Sequence, residues 1–101
     1  MTEDGAAPVV VVAPDELDFA TAPAFERGLD AAFATGGVVV ADLSRMTFCD
    51  SSGLKVIVHA AVRATARGQG FELREPPRML RRMAAILGAS GLLGLPVDER
   101  F

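Results

Sequence analysis

Val38-Val39-Val40-Ala41 is an unbroken apolar run that ends in Asp42, and it constrains the fold more than any other stretch. A strand wetted on one face alternates apolar and polar side chains. A run without alternation marks a strand covered on both faces, as in a parallel sheet flanked by helices. Val9 to Ala13, closed by Pro14, reads as a second buried strand, with Asp15 to Asp18 as a short polar strand end or loop.

The segments between these runs carry helical signals. Thr21 suits an N-cap and Pro23 a first turn, opening a helix to about Ala34 whose Phe25, Leu29, Ala32 and Phe33 share one face. Gly36-Gly37 stops it. Gly28 inside it is a local weakness of ~1 kcal/mol against alanine. Leu43 to Phe48 reads as a turn into a short extended piece. A second helix starts at Asp50-Ser51-Ser52-Gly53 and runs to about Arg67. Its expected core face is Leu54, Ile57, Val58, Ala61, Val62 and Thr65, with Lys55, His59, Arg63 and Arg67 on the wet side beside Val56 and Ala60. Phe71 to Arg74 alternates as a strand with one wet face. Pro76-Pro77 begins a third helix with Leu80, Met83 and Leu87 inward, and Leu92, Leu93, Leu95 and Val97 are expected to cover the sheet edge. The order strand, helix, strand, helix, strand, helix predicts one α/β domain with right-handed crossovers. Its core spans about residues 9–95, after a short flexible N-terminus over residues 1–7.

Charge and composition narrow the function. A formal net charge of −3 argues against a nucleic-acid partner, which favours a basic face. The single cysteine, Cys49, cannot form an internal disulfide and belongs in buried packing. No Cys/His cluster has metal-ligand spacing, so no cofactor is expected. No signal peptide and no apolar run long enough for a bilayer can be read, which predicts a cytoplasmic protein without a membrane span. The abundance of Ala, Arg, Gly and Val hints at a GC-rich, bacterial genome. His59 is the only histidine and lies on the same helix as Ser51, and Ser51 lacks the Gly-x-Ser-x-Gly elbow. An enzyme is therefore not expected. Arg74, Arg78, Arg81 and Arg82 read as a solvated basic face open to an acidic protein partner.

The strand-to-helix junction at Asp50-Ser51-Ser52 is the most informative spot. A helix N-terminus presents unpaired N–H groups and partial positive charge, so it accepts a capping side chain or an anion. On spacing alone Asp50 or Ser51 is a cap first and a modification site second.

The segment Asp42-Leu-Ser-Arg-Met-Thr-Phe-Cys-Asp-Ser-Ser-Gly-Leu54 resembles the signature of STAS-domain anti-sigma factor antagonists. Glu16-Leu-Asp18 with Ala20-Thr21-Ala22-Pro23 resembles the family's Gly-Glu-Leu-Asp segment and its following helix. Pro77 to Leu92 is similar to its last helix and Ser-Gly-Leu turn. The resemblance implies a STAS-like domain with a mixed β-sheet of about four strands. It implies that Ser51 is the phosphoacceptor, that Asp18 lies beside it, and that Asp50, Ser52 and Gly53 shape the helix start. Thr21, Lys55, Val56 and His59 become candidate partner contacts, with Val56 expected to be exposed. The implied partners are an anti-sigma factor that is also a serine kinase, and a phosphatase that resets the switch. In this stress-response type of partner switching, the unphosphorylated form binds the anti-sigma factor and frees a sigma factor. The alternative is a STAS scaffold subunit of a transporter or signalling assembly that is never phosphorylated.

Overall fold

In the computed structural model, which describes residues 7–96, five strands and three helices follow one another. Val9–Val12 is β1, Glu16–Leu17 β2 and Ala22–Phe33 α1; Val39–Asp42 is β3, Phe48–Cys49 β4 and Ser51–Arg67 α2; Phe71–Arg74 is β5 and Arg78–Ile86 α3. β3 is central between β1 and β5, and both of its pairings are parallel, in register Val9–Val39–Phe71 to Val12–Asp42–Arg74. β2 and β4 form a separate parallel pair. The expected α/β domain is present, and among the described residues its strands form three parallel ladders, arranged as a three-stranded and a two-stranded sheet. Every ladder here joins segments separated by a helix, and a helical crossover returns the chain in the same direction.

Val39, Val40 and Ala41 are all buried, as their lack of alternation requires. β1 departs from expectation. Val9 and Val11 pack on the core, but Val10 and Val12 are exposed, because β1 is an edge strand with helices on only one side of these residues. β5 alternates as read, with Phe71 and Leu73 inward. α1 buries Phe25, Leu29, Ala32 and Phe33. Gly28 is where α1 meets β1: a β-carbon there would lie 3.3 Å from Val11 Cγ1. The close helix–strand packing offsets the propensity cost.

α2 is rotated from its expected face. Leu54, Ile57 and Ala61 are buried as expected, but Gly53, Val56, Ala60 and Ala64 join them, while Val62 is 51 % exposed and Thr65 lies outside. Hydropathy ranks Val58 and Val62 above alanine, but the small residues let the helix approach its neighbours closely, and close packing selects the face. Arg63 is half-buried rather than fully solvated: its Nη1 lies 2.7 Å from Asp30 Oδ1 on α1, and its guanidinium stands 4.9 Å from the Phe33 ring centroid. α3 buries Leu80 and Ala84, with Met83 partly buried. Leu87 is 67 % exposed rather than inward, because α3 ends at Ile86 and the chain leaves the helical period there. Leu93 and Leu95 are buried but Leu92 is exposed; Val97 lies outside the described residues.

Gln69 supplies a clamp that apolar periodicity does not signal. Its Nε2 donates to Phe33 O at 3.0 Å and Gly37 O at 2.8 Å, tying the end of α1 to the start of β5.

Candidate functional site

The short β2–β4 ladder builds the site. Leu17 pairs with Cys49, so Asp18 and Asp50 leave the ladder side by side. The Asp50 N–H donates to Leu17 O at 3.1 Å, one further rung beyond the pair. Ser51 opens α2 directly after Asp50, at the end of this ladder.

Asp50, not Ser51, makes the cap. Its backbone is extended, and its Oδ1 accepts from Gly53 N–H at 3.0 Å, the N3 bond of a standard N-cap. Ser51 is left exposed in the first turn, and Ser52 is half-buried. Asp50→Ala is expected to cost ~1 kcal/mol of unfolding free energy, with Asp50→Asn close to wild type because it keeps the accepting oxygen. Urea denaturation of the three proteins checks this.

Asp18 is held rigidly. Its Oδ1 accepts from the N–H groups of Ala20 and Thr21, each at 3.0 Å. Thr21 stands at the N-cap of α1 but makes no side-chain cap bond. Its Oγ1 instead accepts from Asp18 N–H at 3.0 Å and donates to Glu16 O at 2.8 Å, locking the turn that presents Asp18.

Behind this surface Cys49 is buried, and its Sγ donates to Asp50 O at 3.4 Å. Burial pushes the thiol up to about 11, with the Asp50 charge adding to the effect, so at neutral pH it packs as an inert thiol. The expected packing role stands.

The candidate contacts divide. Ser51, Lys55 and His59 line one groove of about 250 Å³ with Leu54, Val58, Leu87 and Ala89. Thr21 lines a different, open cleft with Asp15, Phe25 and Arg45. Val56 lines neither and is buried at 8 % exposure, so its expected surface role is corrected by the rotation of α2. Sequence reasoning also missed two aromatics: Phe19 directly after Asp18 and Phe48 on β4 are 77 % and 48 % exposed. Their placement, one residue after Asp18 and three before Ser51, carries no signal in periodicity, since apolar side chains there look like core. Among the described residues no group of three acidic, cysteine or histidine side chains could hold a metal, and no helix is long and apolar enough to cross a membrane.

Comparison with known proteins accounts for this architecture. The family model described as the MlaB STAS domain matches residues 1–94. No curated protein is significantly similar in sequence. A candidate anti-sigma factor antagonist from Thermotoga maritima shares 23 % identity over 90 % of this chain and 80 % of its own, with a TM-score of 0.71. A sulfate transporter family protein from Wolinella succinogenes gives 0.72 at 18 % identity, covering 86 % of this chain and 71 % of that one. The murine Slc26a9 anion transporter gives 0.67 at 19 % identity, with 89 % of this chain matching 16 % of the transporter. These likenesses carry the fold. With a family model spanning almost all of it, the chain belongs to the STAS domain family.

Proposed function

We propose that the chain is a phosphorylation-controlled anti-sigma factor antagonist, acting in the cytoplasm as a protein-binding module with Ser51 as its switch. One observation carries the reading: Asp50 performs the capping, which leaves the Ser51 hydroxyl exposed and available at the helix start. The unphosphorylated form binds an anti-sigma factor with serine kinase activity, and a phosphatase restores it. Phosphorylation adds close to two negative charges beside Asp50 and Asp18. A partner that approaches the neutral surface then meets like charge and a desolvation cost. A loss of ~2–3 kcal/mol lowers affinity roughly 30- to 150-fold, enough to exchange partners without refolding.

The expected outcome is a fraction of the protein, isolated from its native cells, that is heavier by one phosphate mapped to Ser51. Ser51→Ala is expected to bind the partner constitutively and Ser51→Asp to bind it weakly. The likeness to transporter STAS domains favours a second reading, a scaffold subunit docked on a transporter assembly. Under it, Ser51→Ala and Ser51→Asp leave assembly unchanged, and the native protein carries no phosphate in any growth condition.

A further inference from the structure

The three-stranded sheet has two edges, and they differ in kind. β5 at one edge carries the exposed, charged Glu72 and Arg74, which discourage a further strand from adding. β1 at the other edge is Val9-Val10-Val11-Val12, and residues 7–14 hold no charged side chain. Its register with β3 runs without a bulge, and among the described residues no other strand pairs with it. An uncharged, β-branched edge of this kind is a template for another strand unless something covers it.

The backbone bonds show which groups are left over. Val9 N–H donates to Val38 O and Ala13 N–H to Asp42 O, each at 2.9 Å. Bonding groups alternate along a strand, so Val9, Val11 and Ala13 turn to β3. The N–H and C=O of Val10 and Val12 therefore point outward from the sheet. Their side chains are 42 % and 50 % exposed, while the alternate Val9 and Val11 pack against the core from the helix face. On that helix face the same edge borders an open cleft of about 750 Å³, whose lining includes Val11, Ala13, Ala24 and Phe25.

Pro8 and Pro14 decide what fits. Neither has an N–H, so among the outward-turned positions 8, 10, 12 and 14 only Val10 and Val12 can donate. Antiparallel pairing of β1 with a second β1, Val10 opposite Val12 and Val11 on the axis, gives each of those donors and acceptors a partner. A slip of two residues either way sets Val10 or Val12 opposite a proline and leaves a carbonyl without a donor. The same register brings the second copy's Val9 and Val11 side chains over the cleft. No like charges meet, because the paired stretch is uncharged on both sides.

We infer that β1 is a homodimer edge: two copies of the chain pair antiparallel through Val10 and Val12 about a two-fold axis at Val11, joining their sheets into one. The shared edge is roughly 13 Å long. That is short for a permanent interface, so the dimer forms reversibly. It needs neither a phosphate on Ser51 nor an anti-sigma factor, and stands apart from the proposed switch.

The test follows hydrogen exchange of single backbone amides by NMR in the full chain, at about 20 µM and at about 1 mM. Val10 and Val12 should exchange slower by about tenfold or more at the higher concentration, with Val9 and Val11, already bonded to β3, unchanged. Sedimentation over the same range should show a monomer–dimer equilibrium. Val10→Pro removes an outward donor without touching the β3 ladder, and Val12→Lys adds a charge at the edge; each should leave the protein monomeric. Cooperative thermal unfolding checks that both variants fold, and the wild-type exchange rates decide the matter if either does not. Rapid exchange of Val10 and Val12 at both concentrations would overturn the inference. Equal protection at both would assign the edge to a segment of the same chain, and loss of that protection on deleting residues 1–6 would identify it; either result also overturns the dimer. So would a dimer that survives both substitutions, or growth past the dimer into open-ended assemblies.

Discussion

Gly53→Ala is expected to lower the unfolding free energy by ~1–3 kcal/mol and to displace the start of α2, because there is no room for one methyl group. A β-carbon at this position would stand 2.6 Å from Leu17 O, 2.7 Å from Leu17 Cγ and 2.9 Å from Cys49 Sγ. A flexible side-chain end could turn away. Leu17 O cannot, because it accepts the Asp50 N–H that joins β2 to the cap. Either that bond stretches or the helix start lifts, and both routes disturb the Asp50 Oδ1 to Gly53 N–H cap. The variant therefore tests whether Ser51 is presented by a rigid junction. Urea denaturation should show the lower midpoint, and amide shifts should be largest at residues 17–18 and 49–54. A wild-type midpoint with unmoved shifts would mean that α2 slides freely against β2, and the rigid-junction account would be wrong.

Phe33→Ala should have the larger effect on stability, ~3–5 kcal/mol. Phe33 is 2 % exposed and joins three parts of the fold. Its ring lies 5.7 Å from the Phe71 ring, tilted 44°, which couples α1 to β5. The Arg63 guanidinium covers its other neighbourhood from α2 while pairing with Asp30. Truncation leaves a cavity beside Phe71 at the α1–β5 contact, and the lost contacts add to the transfer cost. A domain of this size has about 5–15 kcal/mol in all, so the variant should approach marginal stability. Its Tm should fall by roughly 15–30 °C. A calorimetric fall of only a few degrees would show that the three elements reclose around alanine.

These two residues show where sequence reasoning reaches and where it stops. Phe33 was legible: it falls at i+8 of an apolar helical stripe, and a large side chain on such a stripe is core. The covered strand Val39–Asp42, the alternation of Phe71–Arg74 and the three helices follow from local periodicity in the same way. Ser51 and Asp18 were legible through the resemblance of their flanking segments, and spacing alone left Ser51 and Asp50 both as caps. Gly53 could be read as part of a helix start, but not as a contact point.

Local order in the chain set which segments are helix or strand, because periodicity and turn chemistry act over a few residues. It also set which segment carries the candidate switch. Long-range packing assigned the faces. Val56 went inside and Val62 outside because alanines at 60, 61 and 64 let α2 pack closely, which a hydropathy ranking does not register. β1 became a half-wet edge because nothing in its own residues says which strand will be central. The capping role went to Asp50, and the Ser51 groove acquired Leu87 from a segment 36 positions away in the chain. Hydropathy is a property of one side chain, whereas burial and the lining of a groove depend on which distant residues arrive beside it.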